Sequence, residues 1–341
     1  MPELRVVFLD AGQGDSTLVV FPNGQLMLVD CGSTKNRQLA EETIAQGIEN
    51  YMGVPRRIEQ VVVTHADEDH YNLLGPVMTR LGNPAVGGVR YGGDINLYKN
   101  IREGNVAYNW LVANNALPFG PSHFGGAAPT TIGPQNPPQP SEEAKLYVLA
   151  ANSTGYPPLR NSKGKNTNSV VLLIEYDRYK VFLMGDATKA TEQFILGRAA
   201  QMPAVPGVSL LQRDFATSLK MGHHGSITSS GQPWVTELKP DAFFISADTK
   251  PFGRGGGGMP PIAFLREVLG WSPNVYEGEE HGVVAFSEPP ARRFDAWQTK
   301  KSVYSTLQEI LYNNAGLGFD AGGGSWHLVV KWGEGVEVIS T

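Results

Sequence analysis

Within the run Thr64-His65-Ala66-Asp67-Glu68-Asp69-His70, four potential ligands, His65, Asp67, Asp69 and His70, crowd the end of an apolar segment. Such side chains are the common donors for divalent cations. Residues two apart at an extended strand end face the same side, and the turn that follows aims the next pair at a neighbouring point. The spacing therefore fits a loop holding two cations a few ångströms apart, the arrangement used in two-metal hydrolysis. The competing reading makes Asp67 or Asp69 the cap of a helix beginning near Asn72, with the histidines in solvent. Two more clusters favour the metal reading. Gly185-Asp186 closes one apolar run, and Lys220-Met221-Gly222-His223-His224-Gly225-Ser226 closes another. Each sits where an αβ sheet presents its ligands.

These clusters need strands to carry them. Apolar, β-branched runs at 4–9, 18–21 and 26–29 alternate with turn-rich segments, which reads as a meander. A helical spacing follows through Leu39, Ile44 and Ile48, then a buried strand over 58–63 that runs into His65. A second strand-rich block covers 169–174 and 180–184, with further strands expected at 218–221, 242–246 and 283–286 and helices at 189–198 and 261–269. The order predicts two similar αβ halves packed sheet to sheet, an α/β four-layer αββα sandwich. Residues 1–290 form the expected domain. Its segment from about 82 to 168 is rich in Gly, Pro and Asn and reads as a loop-rich insertion. Residues 291–341 read as an appended segment, with a helix over 303–311 and a final hairpin over 326–339.

With these motifs in order, the sequence resembles the metallo-β-lactamase superfamily, and within it the hydrolase domain of ComEC-type competence proteins. The matching stretches are Ala11-Gly12-Gln13-Gly14-Asp15-Ser16, Leu28-Val29-Asp30-Cys31-Gly32, the His65 to His70 run, Asn166 to Leu172, Met184-Gly185-Asp186 and His223-His224-Gly225-Ser226. The resemblance implies that His65 and Asp67 bind one metal, that Asp69 and His70 bind a second, and that Asp186 bridges. It implies that one of His223 and His224 completes the second set, with His223 favoured, while His224 faces substrate or donates a hydrogen bond. Asp30 would orient the metal loop from behind.

The departures from the family pattern concern both metal and pocket. Many relatives carry a histidine where this chain has Asp67, so harder oxygen donors shift the balance toward Mn²⁺ or Mg²⁺, with Zn²⁺ still competing through its affinity. The family's third-motif histidine is replaced by Asn166-Thr167-Asn168-Ser169, and His123 lies in the Pro/Gly-rich loop. Phe252-Gly253-Arg254-Gly255 stands where a Tyr-Gly-His-Pro is usual, and Tyr71-Asn72-Leu73-Leu74-Gly75 replaces an apolar residue and paired glycines.

Two cations sharing Asp186 would make a bridging hydroxide available near neutral pH, with Asp69 steering its proton. The oxygen-rich donors and the resemblance imply a phosphodiester substrate, DNA first among them. Lys163, Lys165, Asn166, Asn168, Ser226 and Arg254 are the candidate substrate contacts. The alternatives are hydrolysis of a small ester, nucleotide or lactone, and a non-catalytic metal-binding regulatory module.

Composition limits the partners. In 341 residues, 28 basic and 33 acidic side chains leave a formal charge of −5, so a role resting on a global cationic field is excluded. Hydrophobic residues at 41% against 18% charged place the chain among folded proteins. A single cysteine, Cys31, leaves no intrachain disulfide. The opening residues show no secretory pattern and no apolar run is long enough to span a bilayer, which predicts a cytoplasmic protein without membrane contact.

Overall fold

A computed structural model describes residues 2–34, 37–119, 130–131, 143–152, 165–198, 216–240, 242–246, 277–278, 281–282, 325–333 and 335–340. The strands, in chain order, are β1 (Glu3–Phe8), β2 (Thr17–Val20), β3 (Leu26–Val29), β4 (Arg57–Val63), β5 (Ala85–Tyr91), β6 (Leu117–Pro118), β7 (Thr130–Thr131), β8 (Lys145–Ala150), β9 (Val171–Tyr176), β10 (Tyr179–Leu183), β11 (Ala216–Lys220), β12 (Ala242–Phe244), β13 (Glu277–Gly278), β14 (His281–Gly282), β15 (Trp326–Lys331) and β16 (Gly335–Ser340). The helices are α1 (Arg37–Glu49), α2 (Glu68–Tyr71), α3 (Leu74–Arg80), α4 (Val106–Ala113), α5 (Lys189–Arg198) and α6 (Gln232–Leu238).

Two mixed sheets result. The first has the order β16-β15-β1-β2-β3-β4-β5-β6 and the second β12-β11-β10-β9-β8-β7. In each, antiparallel hairpins give way to parallel strands, at β3, β4 and β5 in the first and at β10, β11 and β12 in the second. Period-two alternation decides which face each side chain joins. Val6 and Phe8 of β1 point between the sheets with Met27, Val62, Leu172, Ile174, Val181 and Leu183. Their neighbours Val7 and Leu9 turn the other way, joining Leu28, Val61 and Val63 under Ile44 and Ile48 of α1, Leu74 and Val77 of α3 and Leu111 of α4. Both faces of the first sheet are therefore covered, which explains its almost continuous apolar strands. On the second sheet, Phe182 of β10 meets Trp234 of α6 edge to face at 5.8 Å. Each fully buried side chain of this size contributes roughly 1.5–3 kcal/mol, so the sheets make a stiff frame for the loops at their ends.

The layered architecture and its two halves agree with the sequence expectation. One region reads differently in space. Within 82–168, where glycine, proline and asparagine suggested loops, β5 pairs in parallel with β4, α4 covers the first sheet and β8 joins the second. Pairing with β4 outweighs the poor strand propensity of the glycines in this strand. The terminal hairpin forms, and through β15 it pairs antiparallel with β1, contributing two strands to the first sheet. The helices expected at 261–269 and 303–311 and the strand at 283–286 lie outside the described residues, as do His123, Lys163 and Arg254. Among the described residues, no helix is long and apolar enough to cross a membrane.

Candidate metal centre

Strands β4, β10 and β11 deliver their carboxyl ends to one point. Gly185 makes the approach between sheets possible. Its φ of +52° is left-handed, and a Cβ there would stand 2.8 Å from Thr64 Cβ, so the β10 exit can lie directly against the β4 exit only as glycine. Asp186 thereby meets His65. Gly32 does the same on the other side, since a Cβ would fall 2.4 Å from the Asp69 carbonyl carbon and 2.5 Å from His70 N. Backbone bonds lock that contact, with Cys31 N–H donating to His70 O at 2.8 Å and Asp15 N–H to Asp69 O at 2.9 Å.

Around Asp186 the donors divide between its two oxygens. Oδ1 faces His70 Nε2 at 3.0 Å and His224 Nε2 at 3.7 Å, and His224 Nε2 also lies 3.2 Å from Asp69 Oδ2. Oδ2 faces His65 Nε2 at 3.6 Å and His223 Nε2 at 3.8 Å, with Asp67 Oδ2 3.5 Å from His65 Nε2. The sequence placed His223 with Asp69 and His70. In space it is His224 that stands there, while His223 faces the His65 side. Both residues have left-handed backbone, with φ of 48° and 51°, and that tight turn sends successive imidazoles to opposite sides of the carboxylate.

All four imidazoles are anchored at Nδ1 and aim Nε2 inward. His70 Nδ1–H donates to Asp30 Oδ2 at 2.8 Å. His65 Nδ1–H donates to Thr64 Oγ1 at 3.1 Å, and that hydroxyl donates to Asp30 Oδ2 at 2.8 Å. His224 Nδ1–H donates to Ser246 O at 2.6 Å, and His223 Nδ1–H to Thr228 Oγ1 at 2.7 Å. Asp30 also accepts from Thr64 N–H at 2.7 Å and so gathers the strand exit and the metal loop on one carboxylate. Fixing one ring nitrogen sets the tautomer and presents the other as a lone-pair donor.

Within the centre, histidines and carboxylates stabilise one another's charged forms. Burial would raise the Asp186 pKa, but His70, His224 and His65 hold it well below the ordinary carboxylate value. Burial likewise opposes the ionised forms of Asp67 and Asp69, and their histidine neighbours still keep both below the usual range. His65, His70 and His224 lose basicity to burial and recover more from Asp186 and its neighbouring carboxylates, so each is raised. His223 is lowered, chiefly by burial.

Four of the inward atoms, His65 Nε2, His70 Nε2, His224 Nε2 and Asp186 Oδ1, are buried without a hydrogen-bond partner. Leaving one such atom unsatisfied costs about 1–3 kcal/mol, and four in one place ask for a shared partner. The ligating atoms of His65, His70 and Asp186 lie within 4.8 Å of one another, as do those of Asp69, His70 and His224. This donor set fits divalent cations.

The competing cap reading fails on geometry. Asp67 does occupy the N-cap position of α2, but its side chain makes no cap hydrogen bond. Instead its Oδ1 meets Lys165 Nζ at 3.0 Å. Asn166 Nδ2 lies 3.5 Å from Asp186 Oδ2, at the rim of the centre. Asn168 is buried behind it and its carbonyl accepts from Asn152 N–H at 3.4 Å. Ser226 Oγ accepts from the Thr228 hydroxyl at 3.1 Å, which places it behind His223. Sequence reasoning missed Thr228 and Ser246 and gave Thr64 no role, because a single hydroxyl residue carries no spacing signal. It quoted Asp15 in a matching stretch and Lys220 in the cluster ending at Ser226 without giving either a role.

A two-sheet sandwich with histidines and aspartates converging at strand ends defines a metallohydrolase-type fold. The chain belongs to the metallo-beta-lactamase superfamily, whose sequence pattern matches residues 9–248. It is 26% identical over 268 residues to ComE operon protein 3 of Bacillus subtilis (strain 168), covering 72% of this chain and 28% of that protein. With Recombination protein 2 of Haemophilus influenzae it shares 24% identity over 247 residues, covering 72% of this chain and 24% of that one. The chain thus spans about a quarter of the length of these curated relatives. Among solved structures, the metallo-beta-lactamase fold protein YhfI of Bacillus subtilis matches over 72% of this chain and 86% of its own, at 13% identity and a TM-score of 0.38.

Proposed function

We propose that the protein is a hydrolase that cleaves phosphodiesters, DNA first among them, with two divalent ions on either side of Asp186. The observation that carries this reading is the division of donors between the two oxygens of that carboxylate. His65, Asp67 and His223 would hold the first ion, and Asp69, His70 and His224 the second. Ions held there supply Lewis acidity toward a phosphoryl oxygen and an ionised water at neutral pH. Four imidazoles with three carboxylates make a mixed set that suits Zn²⁺ or Mn²⁺, with Mg²⁺ as the third candidate.

The remaining steps fall to the chain's own groups. Asp69, ionised and 14% exposed, is placed to accept a hydrogen bond from the attacking water and steer its proton. Lys165 pairs with Asp67 at the open side of the centre and can exchange that partner for a phosphate oxygen, while Asn166 offers a neutral donor beside it. The rim lysine and the similarity to a protein named for recombination support a phosphodiester over a lactone or a carboxylic ester.

The test is turnover of bis(p-nitrophenyl) phosphate by metal-stripped protein supplied with Mn²⁺, Zn²⁺ or Mg²⁺, followed by single-stranded DNA, duplex DNA, RNA and small esters. Cleavage that a chelator stops supports the reading. Binding of metal without turnover on any phosphodiester leaves the small-ester or regulatory alternatives in its place.

A further inference from the structure

The metal reading leaves one buried ion pair without a task. Lys220, the last residue of β11, sets its Nζ against Asp15 Oδ2, and both side chains are only 3% exposed. Burying two charges is costly, and a hydrophobic pair of similar volume would serve the core at least as well. The position of the pair is therefore what needs explaining.

Asp15 is a junction on the first sheet's side. Its N–H donates to Asp69 O at 2.9 Å, its carbonyl accepts from Gly32 N–H at 3.1 Å, and its carboxylate lies 4.0 Å from His70 Nδ1. Lys220 belongs to the second sheet and leads directly into the turn that carries His224. The donors assigned to the second ion therefore hang from different sheets, Asp69 and His70 from one and His224 from the other. Among the described residues, two polar contacts that lie behind the donors join the two sides. One is Lys220 with Asp15. The other runs through Ser246, whose hydroxyl donates to Gly14 O at 2.8 Å while its carbonyl accepts from His224 Nδ1–H. The carboxylates of Asp15 and Asp30 both lie beside His70 Nδ1, and the Lys220 ammonium offsets their negative charge from within the chain.

We infer that Lys220 and Asp15 form a cross-sheet strap that positions the second metal set, fixing the gap between Asp69 with His70 and His224. Lys220 is a positioning residue with no contact to substrate. The inference rests on the two-ion reading above.

The experiment is calorimetric titration of metal-stripped protein with Mn²⁺, in wild type, Lys220→Met and the double variant Asp15→Asn/Lys220→Met. The step belonging to the second ion is identified as the one lost in His224→Gln. Folding is followed by circular dichroism. The expected result is a second-ion affinity lower by about tenfold or more, the usual consequence of disturbing a group behind a metal ligand. The two ions share Asp186, so the first-ion affinity should also fall, but by less than the second, because the strap bonds to the Asp69 backbone and lies beside His70. The double variant leaves no stranded buried charge, so it carries the test if Lys220→Met does not fold. Unchanged binding of both ions, or equal weakening of both, in a folded variant overturns the strap while leaving the metal reading intact. A wild type that binds no ion overturns the metal reading itself.

Discussion

The two sides of Asp186 are built from the same kinds of donor and differ in their access to water. On the Oδ1 side, His70 is fully buried, His224 is 3% exposed and Asp69 14%. On the Oδ2 side, His65 is just as buried, but Asp67 is 33% and His223 27% exposed, and Lys165 already occupies an oxygen of Asp67. A buried donor set excludes water and cannot replace a missing ligand, whereas an open one can admit water or a substrate oxygen. On the proposed two-ion reading, the Oδ1 side would hold its ion throughout the cycle and the Oδ2 side would exchange ligands with the substrate.

Substitution at the shared carboxylate should erase the comparison altogether. Asp186→Ala is expected to lose both ions by metal analysis and to drop phosphodiester turnover at least about a thousandfold, or roughly 4 kcal/mol of transition-state stabilisation. Near wild-type turnover would show that the centre lies elsewhere.

The two neighbouring histidines then probe each side separately. His224→Gln should weaken its ion about a hundredfold and His223→Gln about tenfold, the two ends of the span usual for disturbed metal sites. Water can fill the vacancy at the open side only. Titration with Mn²⁺ checks the ratio, and equal losses would dissolve the distinction between the sides.

Lys165→Met should act in the opposite direction on binding. Removing a half-exposed cation that pairs with Asp67 should tighten the first ion by about 1.5- to fivefold, the worth of an exposed ion pair. The KM for bis(p-nitrophenyl) phosphate should rise in the same variant. A weaker first ion would mean that Lys165 supports the site rather than competing for it.

The smallest effect concerns the frame and needs no metal. Burial, with Arg5 nearby, lowers the His327 pKa to about 4, and its Nδ1 meets Tyr51 OH at 2.9 Å. A histidine whose folded pKa lies below its ordinary value of about 6.5 favours the fold when neutral. Its contribution is complete above that ordinary value and is lost as pH falls toward the folded pKa. Melting curves of metal-stripped protein across this window should fall less steeply for His327→Gln than for wild type, and identical slopes would remove the assignment.

Much of this molecule can be read along the chain. The strands at 26–29 and 58–63 follow directly from apolar runs, and the clustering of His65, Asp67, Asp69 and His70 announces metal chemistry because few other roles require those donors so close together. β5 was hidden because Gly87 and Gly88 carry no strand signal of their own, and only pairing with β4 makes them part of a sheet. The roles of Thr64, Thr228 and Ser246 were hidden for a related reason, since each depends on hydrogen bonds to residues that only the fold brings beside it.

The amino-acid order alone determined the donor types, the strand ends that carry them and the superfamily they resemble. Tertiary structure decided which of His223 and His224 faces which oxygen of Asp186, and that Lys220 meets Asp15. Hydrophobic periodicity records the face on which a residue lies. The meeting of two loop tips from different sheets depends on register, sheet packing and the sign of φ at a few turn residues, none of which a local pattern specifies.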